Sequence, residues 1–205
     1  MADHLEIEQK FDVDAGFTVP DLTGVPGCQA VSAPVTHHLS ATYYDTAGNR
    51  LAASKITLRR RTGGTDEGWH LKLPSDLLPD GAQSRREIHA PLADGQEGQV
   101  PARLADLVSE VTADLPLGPI AVLETERTVR NLLGGPADIL AEVADDQVTA
   151  RRTGSAGEPL RWREIEVEVP EGTPPKVLAA AAGLLRGAGA RPGSKGSKLA
   201  RVLES

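Results

Sequence analysis

In Trp162-Arg163-Glu164-Ile165-Glu166-Val167-Glu168-Val169, glutamates alternate with Ile165, Val167 and Val169. A period of two marks a β-strand, whose side chains point alternately to opposite faces. One face of this strand is apolar and suited to burial. The other carries three carboxylates spaced roughly 7 Å apart along the strand. Like charges at that spacing repel, and an ordinary solvated face has no need of them.

The same pattern recurs along the chain. Leu5 to Phe11 alternates apolar residues with Glu6, Glu8 and Lys10. Ile56 to Arg61 places Arg59 and Arg61 on one face and Ile56 and Leu58 on the other. Trp69 to Leu73 repeats the alternation around Lys72, and Arg85 to Pro91 puts Arg85, Glu87 and His89 together. Ile120 to Leu132 carries Arg127, and Ile139 to Ala150 carries Glu142 and Asp146 on one face. Thr36 to Tyr44 is a further strand with a mixed pattern. Turn residues separate the runs: Gly63 to Gly68, Gly134-Gly135-Pro136, and Thr153 to Pro159 each suit a hairpin loop. Short consecutive strands joined this way predict an antiparallel meander or barrel.

For any one strand a solvated outer face accounts for the charges, since charged side chains are mostly exposed. In combination, acidic and basic strands segregate while every opposite face stays apolar. If the charged faces point into a barrel, the cations Lys10, Arg59, Arg61, Lys72, Arg85, Arg127 and Lys198 come close to balancing the acids Glu6, Glu8, Glu87, Glu142, Asp146, Glu164, Glu166 and Glu168. Such balance is required, because an unpaired buried charge costs several kcal/mol. An eight-stranded barrel has an interior wide enough for side chains or one small ligand. Its basic wall suits a polyanion, since arginine forks match phosphate oxygens. Its acidic wall suits hard divalent cations such as Mg²⁺ or Mn²⁺.

Helical spacing predicts helices over Ala102–Ala113, over Pro174–Ala188 with Thr173 as N-cap, and over Ser197–Leu203. The fold class expected is mainly β within α+β: a closed eight-stranded antiparallel tunnel with flanking helices, in a single domain over residues 1–205. The chain has 205 residues, 40% hydrophobic but only 3% aromatic, so the core rests on Val, Leu, Ile and Ala. A net charge of −7 argues against general nucleic-acid binding, which needs a basic face. The single cysteine, Cys28, excludes an intrachain disulfide and zinc sites built on paired cysteines. The N-terminus lacks a basic and apolar leader, and the apolar stretch near Val177–Leu185 is too short to span a bilayer. A soluble cytoplasmic protein is expected. Walker-type, His-Glu-x-x-His and Gly-x-Ser-x-Gly motifs are missing. Cys28 reads as structural, and His37-His38 as a strand surface, because neighbours on a strand face opposite ways.

These elements, in this order, resemble the CYTH domain, or triphosphate tunnel metalloenzyme, superfamily. The residues that carry the resemblance are Glu6-Ile7-Glu8-Gln9-Lys10, Tyr43-Tyr44-Asp45-Thr46, Leu58-Arg59-Arg60-Arg61, Trp69-His70-Leu71-Lys72-Leu73-Pro74, Arg85-Arg86-Glu87, Arg127, Asp146-Gln147-Val148, Glu164 to Glu168, and Ser197-Lys198-Leu199. The resemblance implies hydrolysis of inorganic triphosphate first, with thiamine or nucleoside triphosphates as further substrates. Adenylate cyclase activity or plain polyphosphate binding, as in other members, is the alternative. It implies that Lys10, Arg59, Arg61, Lys72, Arg85, Arg127 and Lys198 bind phosphate. Glu6, Glu8, Glu166 and Glu168, with Asp146, would hold Mg²⁺ or Mn²⁺. Asp146 and Glu164 would orient the attacking water, with Lys10 and Lys198 at a terminal phosphate. Face parity favours Arg85 over Arg86 and Asp146 over Asp145, and the family pattern favours Lys198 over Lys195.

Overall fold

The computed structural model describes residues 2–78 and 81–205. Its strands are β1 (Ala2–Val13), β2 (Ala30–Val31), β3 (Val35–Asp45), β4 (Thr57–Thr62), β5 (Gly68–Lys72), β6 (Asp76–Leu77), β7 (Gln83–Ala90), β8 (Gly118–Gly135), β9 (Asp138–Arg152), β10 (Leu160–Val169) and β11 (Arg191–Pro192). The helices are α1 (Arg50–Ala53), α2 (Ala102–Asp106), α3 (Ser109–Thr112), α4 (Pro175–Gly187) and α5 (Lys198–Leu203).

Eight strands close an antiparallel barrel in the order β1-β10-β9-β8-β3-β4-β5-β7, with β7 pairing back onto β1. Short β2, β6 and β11 attach at its margins. Every strand expected from the alternation is present, and the three glycine-rich segments do join β4 to β5, β8 to β9 and β9 to β10. Closure removes the sheet edges that an open antiparallel meander would leave unpaired.

The apolar faces point outward and are roofed by helices. Phe11, Val143, Ile165 and Val167 pack under Val177, Ala181 and Leu185 of α4. Leu58, Trp69, Leu71 and Ile88 pack with Leu51, Leu104 and Val108 of the α1–α3 region. This inversion, apolar outside and charged inside, is possible only because helices cover the outer face.

Three local differences from expectation have physical causes. The helix expected over Ala102–Ala113 is broken into α2 and α3, because Val108 leaves helical geometry at φ −119° with its side chain held in the core. Pro174, not Thr173, is the N-cap of α4, with Pro175 in the first turn, where its lost N–H costs nothing. The short helix α1 was not expected. It is held by buried Asp45, whose carboxylate accepts from the backbone N–H groups of Leu51 and Ala52, both at 2.9 Å. Asp45 thus anchors the chain where β3 leaves the barrel.

One end of the interior is apolar. Ala41, Tyr43, Leu123, Val148 and Ala150, all on the tunnel face by parity, pack against Leu199 and Val202 of α5. That helix plugs this end of the barrel. Ser197 caps it, its hydroxyl accepting from the Ala200 N–H at 3.1 Å, which places Lys198 in the first turn and inside the tunnel.

Candidate functional site

Strand register brings the charged faces into rows around the interior. Lys10 lies opposite Glu166, Glu8 opposite Glu168, and Glu6 opposite Arg85. Glu164 faces Asp146, and Glu168 faces Glu142. Arg127 faces Asp146, Arg59 faces Tyr43 and His70, and Lys72 faces Glu87. These rows enclose a cavity of about 320 Å³, within the ~300–1,000 Å³ range of small-molecule sites.

Two buried charge networks occupy the walls. In the first, Glu6 receives Arg85 Nε at 2.8 Å and also Lys72, while Arg85 reaches Glu8. Burial opposes the charge on Glu6, but Lys72 and Arg85 outweigh it and hold its carboxyl at about 2. Lys10 lies 2.7 Å from Glu8 and also contacts Glu166, joining this network to the second. There, Arg127 grips Asp146 through two hydrogen bonds, at 2.8 and 2.7 Å, and also reaches Glu166. Lys198 sits 2.8 Å from Asp146, 2.7 Å from Glu164 and 2.8 Å from Glu166. Burial works against the Lys198 ammonium, yet these three carboxylates raise its pKa well above the lysine range. The carboxylate oxygens of Asp146, Glu164 and Glu166 lie within 4.8 Å of one another.

Two places in the tunnel are incompletely compensated. Among the described residues Glu168 has no ion pair. Burial, with Glu6, Glu8 and Glu142 nearby, pushes its carboxyl up to about 7. Across the interior, the guanidinium of Arg59 has no ion pair among the described residues; it donates to the Tyr43 hydroxyl at 3.3 Å, with Glu87 acting on it at longer range. Arg61, 3% exposed, pairs with Asp66 of the β4–β5 loop. Burial first, then the charges of Arg59 and Arg127, lower Arg61 to about 9. The Nε atoms of Arg59 and Arg61 are buried without a hydrogen-bond partner. The tunnel therefore has a surplus of positive charge at Arg59–Arg61 and a surplus of negative charge at Glu168.

The structure gathers all the expected site residues in one interior: Glu6, Glu8, Lys10, Arg59, Arg61, Lys72, Arg85, Arg127, Asp146, Glu164, Glu166, Glu168 and Lys198. The alternatives left open by the sequence lie outside it. Arg86 pairs with Asp3 at the surface, Asp145 with Arg163, and Lys195 with Glu204. The acids expected to hold a metal do not form one tight group; Glu6 and Glu8 are engaged by cations, whereas Asp146, Glu164 and Glu166 cluster around Lys198. Lining residues that were not assigned a role from sequence include Tyr43, Asp66, His70 and His89. Parity was the signal for His70, which shares a face with Lys72. A loop residue such as Asp66 has no comparable periodic signal. His37 lies on β3 opposite Arg127 and lines a second cavity of about 580 Å³ that adjoins the first.

A family model, the CYTH domain, matches residues 4–203. Two uncharacterized proteins from strains of Mycobacterium tuberculosis are 42% identical over 214 residues, covering 98% of this chain and 40% of theirs. The chain thus spans less than half the length of these curated relatives. Among solved structures, the Hippeastrum protein HpAC1, described as having a dominant triphosphatase activity, superposes with a TM-score of 0.59 at 19% identity, covering 97% of this chain and 95% of its own. A Bacillus halodurans protein named as a candidate adenylate cyclase superposes with a TM-score of 0.55 at 17% identity, covering 98% of both chains. At such identities these two establish a shared fold. Among the described residues no helix is long and apolar enough to cross a membrane.

Proposed function

The chain belongs to the CYTH domain family, and from that premise we propose that it binds a triphosphate in the tunnel and hydrolyses it with the help of Mg²⁺ or Mn²⁺. The observation that carries this proposal is an imbalance of charge across the tunnel: among the described residues, Arg59 and Arg61 have between them one loop carboxylate, Asp66, on one wall, and Glu168 has no ion pair on the other. A polyanion relieves the first and a hard divalent cation relieves the second.

Within this proposal Arg59 and Arg61 grip the phosphate chain, helped by Lys72, Arg85 and Arg127 where their buried carboxylate partners leave donors free. The donor set at the acidic end is entirely carboxylate oxygen, which fits magnesium or manganese. Glu168 and its row neighbours Glu8 and Glu142, with Glu6 beside them, would hold such an ion. A bound cation would neutralise charge on the phosphate oxygens. Asp146 is held on both oxygens by Arg127, and Glu164 is held by the Trp162 indole N–H and Lys198, so either carboxylate would exchange a partner to orient the attacking water. Lys198 and Lys10, each fixed on Glu166, stand ready for a terminal phosphate. Positioning and charge neutralisation are what phosphoryl transfer chiefly needs.

The second cavity supports keeping organic triphosphates in view. Val35, Leu39, Val129 and Ile139 give it an apolar ledge beside Arg127 and Glu168. The deciding experiment incubates the protein with inorganic triphosphate, thiamine triphosphate or ATP in Mg²⁺ or Mn²⁺ and identifies the products. Orthophosphate release supports hydrolysis, and cyclic AMP from ATP would replace it with cyclase activity. Binding without product would leave a polyphosphate- or nucleotide-binding module. Glu8→Ala or Arg61→Ala with unchanged turnover would refute the site.

A further inference from the structure

We propose that Asp66 is a specificity-determining residue of the tunnel: an internal counter-ion that occupies the Arg61 guanidinium until a phosphate chain displaces it. This rests on the triphosphate site proposed above.

The unusual feature is where the Arg61 partner comes from. Arg85 pairs with Glu6 and Glu8, and Arg127 with Asp146 and Glu166; all four carboxylates project from barrel strands. Arg61 is as buried as these arginines, yet its counter-ion is a loop carboxylate whose side chain is 61% exposed. The cation is fixed in the wall, while water reaches the anion and can take it back. A carboxylate that leaves a buried partner is costly to the pair only if nothing replaces it. A phosphate replaces it well, since its oxygens match the guanidinium fork and carry more charge.

The loop has a defined resting position and a means of leaving it. Gly63 and Gly64 both adopt φ near 79°, and a side chain at Gly63 would come within 2.2 Å of the His38 carbonyl oxygen. Only glycine permits this tight exit from β4. Beyond it, the backbone is tied down by side chains: His70 Nε2 lies 3.0 Å from the Asp66 carbonyl oxygen, which Arg61 also approaches at 3.4 Å, and His89 Nε2 lies 3.2 Å from that of Glu67. Asp66, Arg127 and Glu168 line both the inner and the adjoining cavity, so Asp66 stands at the passage between them.

The consequence depends on ligand length. Arg59 and Arg61 are two residues apart on β4, roughly 7 Å along the strand. A single phosphate on Arg59 leaves Asp66 in place. A chain of linked phosphates that spans both arginines must expel it. Asp66 therefore lowers the affinity for triphosphate relative to orthophosphate.

The test is calorimetric binding of inorganic triphosphate and of orthophosphate to the full chain in EDTA and again with Mg²⁺. Wild type, Asp66→Asn and Asp66→Glu are compared. The expected result is triphosphate binding about tenfold tighter in Asp66→Asn, with orthophosphate changed by less than about twofold and Asp66→Glu near wild type. The gain should vanish in an Arg61→Gln background, as a double-mutant cycle requires of a direct pair. Equal or weaker triphosphate binding by Asp66→Asn, or an equal gain for orthophosphate, overturns the role of Asp66 alone. Wild-type protein that binds triphosphate in neither buffer overturns the underlying site as well.

Discussion

Glu8 on β1 and Glu168 on β10 are cross-strand partners inside the tunnel, and among the described residues the first alone forms ion pairs. Arg85 and Lys10 pair with Glu8, whereas Glu168 has no ion pair among the described residues. Two facing carboxylates with compensation for one form a place where an added cation gains most. The same economy of charge runs through the whole interior, and it makes the individual side chains separable by experiment.

Adding Mn²⁺ or Mg²⁺ should raise the melting temperature of the protein, with stabilisation of ~3 kcal/mol when the ion is at about a hundred times its Kd. Glu168→Gln keeps the shape and removes the charge, so its metal-induced shift should fall below roughly half that of wild type. Differential scanning fluorimetry across a metal titration measures both. An undiminished shift in the variant would place the ion elsewhere.

Arg59 and Arg127 should separate binding from stability. Arg59 has no ion pair among the described residues, so Arg59→Ala should weaken triphosphate binding by about 10- to 100-fold, the worth of a charge-assisted contact, while leaving the unfolding midpoint nearly unchanged. Arg127→Ala takes two charge-assisted hydrogen bonds from buried Asp146 and one from Glu166, leaving them to Lys198 and Lys10, and should cost on the order of 3 kcal/mol of stability. Urea unfolding beside calorimetry distinguishes them. Equal destabilisation by the two variants would show that Arg59 is part of the structural network.

The plug formed by α5 should be as sensitive as any core helix. Leu199 is 1% exposed, so Leu199→Ala should cost ~2–5 kcal/mol. Ser197→Ala removes the cap and should cost ~1 kcal/mol. Because Lys198 begins the same helix, both variants should lower turnover more than they alter triphosphate affinity. Unfolding midpoints and a kcat-against-KM comparison test this, and unchanged kcat in a destabilised Leu199→Ala would free Lys198 from the mechanism.

Acid stability should carry the signature of Glu6. Its folded pKa of about 2 lies below the ordinary value of 4.5, so the folded state binds fewer protons than the unfolded one between these limits. The stabilisation is fully present above pH 4.5 and is lost as the pH falls toward 2, on the order of 3 kcal/mol in all. In metal-free protein, Glu6→Gln should be less stable near neutrality and lose less on acidification over that window. Parallel pH–stability curves for the two proteins would contradict the assignment.

The strands were legible because each announces itself locally. Glu164, Glu166 and Glu168 alternate with apolar neighbours, and so do Glu6 and Glu8; the period of two survives whatever the strands pack against. The barrel itself followed from having many such strands with turn residues between them. Less legible were elements whose cause lies at a distance. The break at Val108 depends on where its side chain is anchored, and helix α1 depends on the Asp45 carboxylate that caps it from the end of β3. Both are decided by tertiary contacts that no helical periodicity records.

By itself, then, the sequence determined which side chains share a face, and so which residues line the interior once the apolar faces are covered. Only the tertiary structure decided who meets whom. Lys198 reaches Asp146, Glu164 and Glu166 because α5 is capped at Ser197 and plugged into the apolar end. Asp66 reaches Arg61 because a glycine turn folds the β4–β5 loop back over the mouth. Alternation is a property of one extended backbone segment. Countercharge across a barrel depends on strand order and register, set by hydrogen-bond ladders between segments far apart in the chain. That is why the charged walls could be read from the residues, and why the unbalanced sites at Glu168 and at Arg59–Arg61 could not.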